Sequence, residues 1–151
     1  MGESLNSAQR PFKVGVLTPI SSMNPYDSLD FGCCMVQQLV YETLYERAGS
    51  TVQPLLATDL PRPTADGEGA RYCIPIRQDV RFSDGTRMTS ADVVRSLQNT
   101  RRFADARRLE ARGPEIVIEL DRPDHGLASA LATPRTAITR ETHPTQMASE
   151  L

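Results

Sequence analysis

Residues 72–98, YCIPIRQDVRFSDGTRMTSADVVRSLQ, decide how this chain folds. The start of the segment belongs to a run, Arg71 to Arg77, in which apolar residues occupy every second position. Strict alternation of this kind is typical of a β-strand with one face buried and one face in solvent. Pro75 interrupts the run, and because proline has no backbone N–H it predicts an edge position for this strand.

A turn and a helix start follow within the same segment. Ser83-Asp84-Gly85 separates two short apolar stretches and predicts a tight turn. Thr89 and Asp92 have the spacing of a capping box, in which each residue of the pair satisfies a free backbone N–H of the first helical turn. We therefore expect a helix that begins after Thr89 and ends near Arg102 or Phe103.

The chain before this segment predicts a strand, a helix and an extended stretch. Phe12 to Thr18 is a short β-prone run. Asp30 is a suitable N-cap for a helix over Phe31 to Arg47, where apolar residues recur every three or four positions. Gly49 stands where a C-terminal glycine would end that helix. Val52 to Leu60 is apolar but contains a proline, so it predicts an extended segment.

The chain after this segment predicts a strand pair and a short helix. The pair turns at Gly113-Pro114 and includes Glu115 to Leu120, and the helix covers His125 to Ala132. The whole is 151 residues long, which favours a single domain. We assign residues 12–140 to that domain, 1–11 to a disordered polar N-terminus and 141–151 to a polar tail.

Composition excludes several classes of protein. A formal net charge of −2 lacks the basic excess of nucleic-acid binders, so no nucleic-acid partner is expected. There is no apolar run long enough to span a bilayer, so no membrane partner is expected either. The polar first ten residues lack the apolar core of a secretory signal, which predicts a cytoplasmic protein. Three cysteines, two of them adjacent, do not form a disulfide framework and predict reduced thiols.

No catalytic or cofactor motif stands out. His125 and His143 are the only histidines, and no histidine or cysteine pair has the spacing of metal ligands. Nucleophile-elbow and phosphate-cradling motifs are also missing from the sequence. We therefore predict neither a metal nor a cofactor. The arginine pairs 101–102 and 107–108 are interpreted as a solvated helix end rather than as a phosphate site.

The order of the segments resembles that of the family 5 solute-binding proteins, the oligopeptide- and dipeptide-binding components of ABC importers. The resemblance rests on VYETLYE at 40–46, QPLLATDLP at 53–61, the segment 72–98 and EIVIELDRP at 115–123, and it extends over residues 14–139. It implies an α+β fold with a small mixed or antiparallel sheet and two main helices. That arrangement is the N-terminal strand-helix and accessory subdomain of the family.

The resemblance also implies a limit. Family members are much longer, and they hold their ligand in a cleft between two lobes that close about a hinge. This sequence matches only the opening strand and helix and the accessory subdomain that follows. The ligand-contact residues of the family therefore cannot be carried over to numbered positions here.

Candidate ligand-binding residues are instead chosen by side-chain character. Tyrosine and methionine combine an adaptable apolar surface with a polar group, which suits a small-molecule pocket. The apolar side chains of the first helix would also lack the lobe that covers them in the family, which predicts self-association into a homo-oligomer. The candidates are Met23, Tyr26, Met35, Tyr41 and Tyr45.

Two functions follow from these observations. The first is a cytoplasmic, free-standing remnant of the solute-binding fold that binds a hydrophobic small molecule or peptide. Such a protein could template a cyclisation or pericyclic step by shape and without cofactor, as a cyclase-type enzyme. The arginine-rich, lysine-poor composition is typical of a GC-rich bacterial genome, in which natural-product biosynthesis is a reasonable setting. The alternative is an N-terminal piece of an importer's solute-binding protein, with no catalytic activity.

Overall fold

The structure is a computed structural model that describes residues 13, 15–27, 30–65 and 70–140. The predicted disordered N-terminus, 1–11, and the predicted tail, 141–151, lie outside this part. The helices are α1 (Phe31–Val40), α2 (Ser90–Gln98) and α3 (Leu127–Ala130), with a 3₁₀ turn at Pro134–Thr136. The strands are β1 (Tyr45–Ala48), β2 (Thr51–Pro54), β3 (Arg62–Pro63), β4 (Arg71–Pro75), β5 (Arg108–Arg112) and β6 (Glu115–Glu119).

A four-stranded antiparallel sheet forms the centre of the molecule. Its strand order is β3-β4-β6-β5, so β6 pairs with a neighbour on each side. Ile116 and Ile118 of β6 are fully buried, and α2 packs over β5 and β6 with Val93 and Leu97 inward. This arrangement confirms the predicted α+β fold with a small antiparallel sheet and two main helices.

A separate hairpin, β1-β2, joins this sheet through hydrogen bonds to its flanking residues. The carbonyl oxygen of Leu44 accepts from the backbone N–H groups of Leu55 (3.0 Å) and Ala57 (3.1 Å). Ala57 then forms an isolated bridge to Ile76, just beyond β4. Leu44 and Ala57 are therefore buried in the same hydrophobic core as the sheet.

The first helix is shorter than predicted. It ends at Val40 rather than Arg47, because Tyr41 adopts an extended backbone. Tyr45 to Ala48 form β1, so Gly49 is not a helix terminator; its positive φ of 64° belongs to the tight turn between β1 and β2. The helix does not continue because β1 begins at Tyr45, and Leu44 just before it is buried in the same core. The apolar spacing alone does not distinguish the two structures.

The edge position predicted for the strand at Arg71 to Arg77 is also wrong. This strand, β4, lies between β3 and β6. Pro75 is tolerated because it stands opposite Glu115 at a position where the two strands exchange no backbone hydrogen bond. The pairing continues past it, since Ile76 N–H donates to the Pro114 carbonyl oxygen at 2.9 Å. The Pro75 carbonyl oxygen remains in use and accepts from Thr58 N–H at 2.9 Å.

Other predictions are confirmed with shifted boundaries. The turn around Gly85, the hairpin that turns at Gly113 and a short helix after His125 are all present. The second helix ends at Gln98, and the chain continues to Phe103 as hydrogen-bonded turns. The strand expected at 12–18 does not appear at its described residues, 13 and 15–18.

Candidate functional site

A cavity of about 550 Å³ lies where three segments of the chain meet. They are the turn at residues 25–27, the end of α2 and the residues between α3 and the 3₁₀ turn. Its lining is Tyr26, Asp27, Asn99, Thr100, Arg101, Arg102, Ala130, Thr133, Arg135 and Thr136. Every lining residue except Ala130 has a polar side chain, and most of these can donate hydrogen bonds.

Tyr26 is held at the cavity by a turn that its neighbours stabilise. The Asn24 side-chain oxygen accepts from Tyr26 N–H at 3.0 Å, and Asp27 N–H donates to the Asn24 carbonyl oxygen at 3.3 Å. The Tyr26 hydroxyl donates to the carbonyl oxygen of Ala137 at 2.9 Å and lies 3.2 Å from the Thr139 hydroxyl. Burial raises the pKa of Tyr26 above its usual value, so the phenol stays neutral.

The end of α2 brings two arginines to the cavity. After Gln98 the chain turns on Thr100, whose hydroxyl donates to the carbonyl oxygen of Leu97 at 2.7 Å. Phe103, which is 2% exposed, anchors the turn in the core. The intervening Arg101 and Arg102 are exposed and line the cavity.

The third arginine comes from the 3₁₀ turn. Pro134 begins this turn, where its fixed φ is favourable, and the Thr136 hydroxyl donates to the Thr133 carbonyl oxygen at 2.9 Å. Arg135 lies between them and lines the cavity. Its Nε atom is buried and has no hydrogen-bond partner within the part of the chain that the structure describes.

The charges on the cavity wall are unbalanced. Arg102 pairs with Asp124, but Arg101 and Arg135 have no carboxylate partner among residues 13, 15–27, 30–65 and 70–140. Asp27 is the only carboxylate on the wall. A guanidinium group presents several N–H donors in a plane and binds a carboxylate through two parallel hydrogen bonds. The arrangement therefore favours an anionic ligand with planar acceptor geometry.

Across the described residues, no group of three or more histidine, cysteine, aspartate or glutamate side chains could hold a metal ion. None of the helices in that same part combines the length and apolar character that crossing a membrane requires.

The five candidate ligand-binding residues do not form one site. Tyr26 lines the arginine-lined cavity. Met23 and Met35 are 41% and 43% exposed and line none of the cavities described here. Tyr41, just after α1, lines two other cavities. Tyr45 is fully buried in the core, where its hydroxyl donates to the Asp59 carbonyl oxygen at 2.8 Å.

Sequence reasoning missed the arginines. The sequence predicts a solvated helix end at Arg101, and no pattern in it singles out Arg135. The Arg101-Arg102 pair after a capped helix was the available signal. Its importance depends on the 3₁₀ turn, which lies more than 30 residues later and completes the wall.

Comparison with known proteins gives matches among solved structures alone. No family model matches the sequence, and no curated protein does. The solved structure of the pheromone receptor PrgZ, described with its mode of peptide binding, is 23% identical with a TM-score of 0.71. The match covers 79% of this chain and 28% of that protein.

Two further solved structures hold small ligands. The binding protein AgaA from A. tumefaciens R10, in complex with agropinic acid, is 20% identical with a TM-score of 0.69; the match covers 80% of this chain and 26% of AgaA. NikA from Brucella suis, in complex with Fe(III)-EDTA, is 26% identical with a TM-score of 0.64, over 77% of this chain and 25% of NikA.

These matches bear out the resemblance stated from the sequence. The chain spans about a quarter of the length of each solved structure. Each match covers more than three quarters of this chain. The described part of this chain therefore has the fold of part of a family 5 solute-binding protein.

Proposed function

We propose that this chain supplies part of a solute-binding site and acts by binding rather than by catalysis. The solute is a small molecule or peptide that presents a carboxylate to the arginine-lined cavity. The observation that carries the proposal is the convergence of Arg101 and Arg135 on one cavity without a carboxylate partner in the described part of the chain.

The chemistry of this wall supports an anionic ligand over the hydrophobic one expected from the sequence. Bringing two uncompensated guanidinium groups to one cavity is unfavourable unless an anion or solvent balances them. A carboxylate would satisfy donors of both arginines, and Thr133 and the backbone-anchored Tyr26 would border the rest of the ligand. Charge-assisted hydrogen bonds of this kind are about twice as strong as neutral ones.

The similar structures support the same ligand class. AgaA is described with agropinic acid and NikA from Brucella suis with Fe(III)-EDTA, both acidic ligands. PrgZ is described as binding a peptide, which ends in a carboxylate unless it is blocked.

The remaining expectations from the sequence stay predictions. The cyclisation hypothesis stays a prediction, and the three structures reported above, which are binding proteins, lend it no support. The cytoplasmic location and the domain boundaries also stay predictions.

The test compares carboxylates with their neutral amides. We expect succinate to bind more tightly than succinamide, and trialanine more tightly than trialanine amide, in calorimetric titrations at low ionic strength. Tighter binding of succinate than of trialanine would indicate a small acid as the ligand. Tighter binding of trialanine would indicate a peptide C-terminus. In Arg135→Gln the preference for carboxylate should fall about tenfold or more, since hydrogen bonds to charged groups contribute about 1.5–3 kcal/mol.

Arg87→Gln is the matched control. Arg87 is an exposed arginine that lines none of the cavities described here, so its loss changes net charge equally without touching the site. Equal binding of acid and amide would overturn the proposal. An equal loss of binding in Arg87→Gln and Arg135→Gln would do the same, because it would reduce the effect to net charge.

A further inference from the structure

A second cavity lies at the C-terminal end of α1. It has a volume of about 510 Å³, and its wall is built from the last turn of α1, the residues that link α1 to β1, and residues close to the 3₁₀ turn. It shares no lining residue with the arginine-lined cavity, so what it binds is independent of the proposed carboxylate site. We call it the α1-end cavity.

Gln37 brings a buried amide to the α1-end cavity, and one half of that amide is unsatisfied. The side chain is 1% exposed. Its Nε2 atom donates to the carbonyl oxygens of Asn24 at 3.1 Å and Ser22 at 3.5 Å, in the segment before α1. Its Oε1 atom is buried and has no hydrogen-bond partner within the described residues.

The orientation of this amide follows from its neighbours. Exchanging the two amide atoms of Gln37 would set its oxygen against two carbonyl oxygens, so the nitrogen belongs on that side and the unsatisfied atom is an acceptor. A buried acceptor without a donor is unfavourable. The α1-end cavity therefore favours a ligand that donates a hydrogen bond.

The charged side chains on the wall favour a cationic donor. Glu42 and Glu46 both line the cavity, and Arg47 is the only basic residue that does. Glu46 accepts from the Gln53 amide at 2.6 Å, and the exposed Glu42 carboxylate forms no ion pair within the part of the chain that the structure describes. Two carboxylates and one guanidinium group leave the wall with a net negative charge.

The end of the helix adds to this preference. The last carbonyl groups of a helix lack partners within it, so its C-terminus carries a partial negative charge that attracts cations. No basic side chain lies in the last turn of α1 to offset that charge.

An ammonium group suits this wall better than a metal ion. It carries three N–H donors and no acceptor, and Gln37, Glu42 and Glu46 supply three acceptor groups. Calcium takes about six to eight oxygen ligands, whereas the described residues include no group of three or more acidic, histidine or cysteine side chains that could hold a metal. The rest of the wall includes apolar side chains that an alkyl chain could contact: Leu55, Ala132 and Pro134.

We propose that the α1-end cavity binds the ammonium group of an organic amine. The Gln37 Oε1 atom and the carboxylates of Glu42 and Glu46 accept its hydrogen bonds, and the apolar part of the wall contacts its carbon chain.

Three probes with the same alkyl chain test which property of the ligand matters. Butylammonium, butyltrimethylammonium and n-butanol should be titrated into the full chain by calorimetry at low ionic strength. Butylammonium should bind about tenfold or more tightly than either of the others, because only it combines positive charge with N–H donors. Equal binding of n-butanol would overturn the cation, and equal binding of butyltrimethylammonium would overturn the hydrogen bonds.

Glu42→Gln tests the wall without touching the core, because Glu42 is exposed. The variant should weaken butylammonium binding about tenfold. Glu115→Gln is the matched control, since it removes the same charge at a residue that lines none of the cavities described here. Equal losses in the two variants would overturn the site by reducing the effect to net charge.

The side-chain amide signals of the ¹⁵N-labelled chain report on Gln37 directly. Saturating butylammonium should shift the Gln37 side-chain signals. It should leave those of Gln78 in place, because the Gln78 amide donates to the Ile76 carbonyl oxygen at 2.9 Å and lines none of the cavities described here. Unchanged Gln37 signals would overturn its role as an acceptor and assign its Oε1 atom to solvent.

Discussion

The two main helices have similar lengths but opposite relations to the core. Both begin with a side-chain cap, Asp30 for α1 and Thr89 for α2. The α2 helix turns Val93 and Leu97 inward and keeps its charged residues toward solvent. The α1 helix buries only Gly32, Cys33 and Gln37, and its large apolar side chains face outward.

The difference shows which part of the fold is self-sufficient. The region of α2 and the four-stranded sheet buries its own apolar face, so its stability comes from within the described chain. The region of α1 leaves apolar surface unpaired, so part of its stability depends on whatever covers that surface. The proposed carboxylate site lies at the boundary, because Tyr26 comes from the segment that leads to α1, Arg101 and Arg102 follow α2, and Arg135 belongs to the 3₁₀ turn.

The largest expected effect on stability comes from shortening a large apolar side chain to alanine, and it should differ between the two regions. Ile118→Ala removes a fully buried side chain from the central strand, so it should lower the free energy of unfolding by about 2–5 kcal/mol. Leu39→Ala truncates a side chain that is 81% exposed, and it should change that free energy by less than about 0.5 kcal/mol. Urea denaturation at high dilution, where association is weakest, measures both.

Equal losses in the two variants would contradict the comparison, because α1 would then be as well packed as the sheet.

A smaller effect concerns the cap of α2. The Thr89 hydroxyl accepts from Asp92 N–H at 3.3 Å, and the Asp92 carboxylate accepts from Thr89 N–H at 2.9 Å. Thr89→Ala should therefore lower the free energy of unfolding, measured by urea denaturation, by about 1 kcal/mol.

Burial would raise the pKa of Asp92, but hydrogen bonds from Thr89 and Arg95 outweigh this effect, and the pKa lies below its usual 3.8.

The depressed pKa predicts a direction with pH. A carboxyl with a lower pKa in the folded state stabilises that state above its unfolded pKa. The contribution is lost as the pH falls from about 3.8 toward the folded value. Asp92→Asn should therefore be less stable than wild type at pH 7, and the difference in unfolding free energy should narrow as the pH falls below 3.8. The same difference in Asp105→Asn, an exposed aspartate, would contradict the assignment to the cap.

The sequence was most informative where local chemistry decides the structure. The Asp-Gly turn before Thr89, the capping box and the strand pair around Gly113 depend on residues within a few positions of one another, and all three were predictable. The end of α1 was not predictable, because the buried Leu44 and Tyr45, which lie just before β1 and at its first position, continue an apolar spacing that a helix would also use.

The candidate site was less predictable than the fold. Tyr26 was identified by its side-chain character, and it does line the cavity. Arg135 has no local signal, because its role depends on the 3₁₀ turn lying beside the end of α2. That proximity arises from tertiary contacts, such as the Ser96 hydroxyl donating to the Thr139 carbonyl oxygen at 3.0 Å. Sequence patterns within one element do not reveal such contacts.

The most direct test of the carboxylate site is to map where a carboxylate binds. Backbone amide shifts of the ¹⁵N-labelled chain should be followed during titration with succinate and, separately, with succinamide. Succinate should shift the backbone amide signals of residues 25–27, 99–102 and 130–136, and succinamide should leave those signals unchanged. Succinate shifts spread over arginines elsewhere, or equal shifts with succinamide, would contradict it.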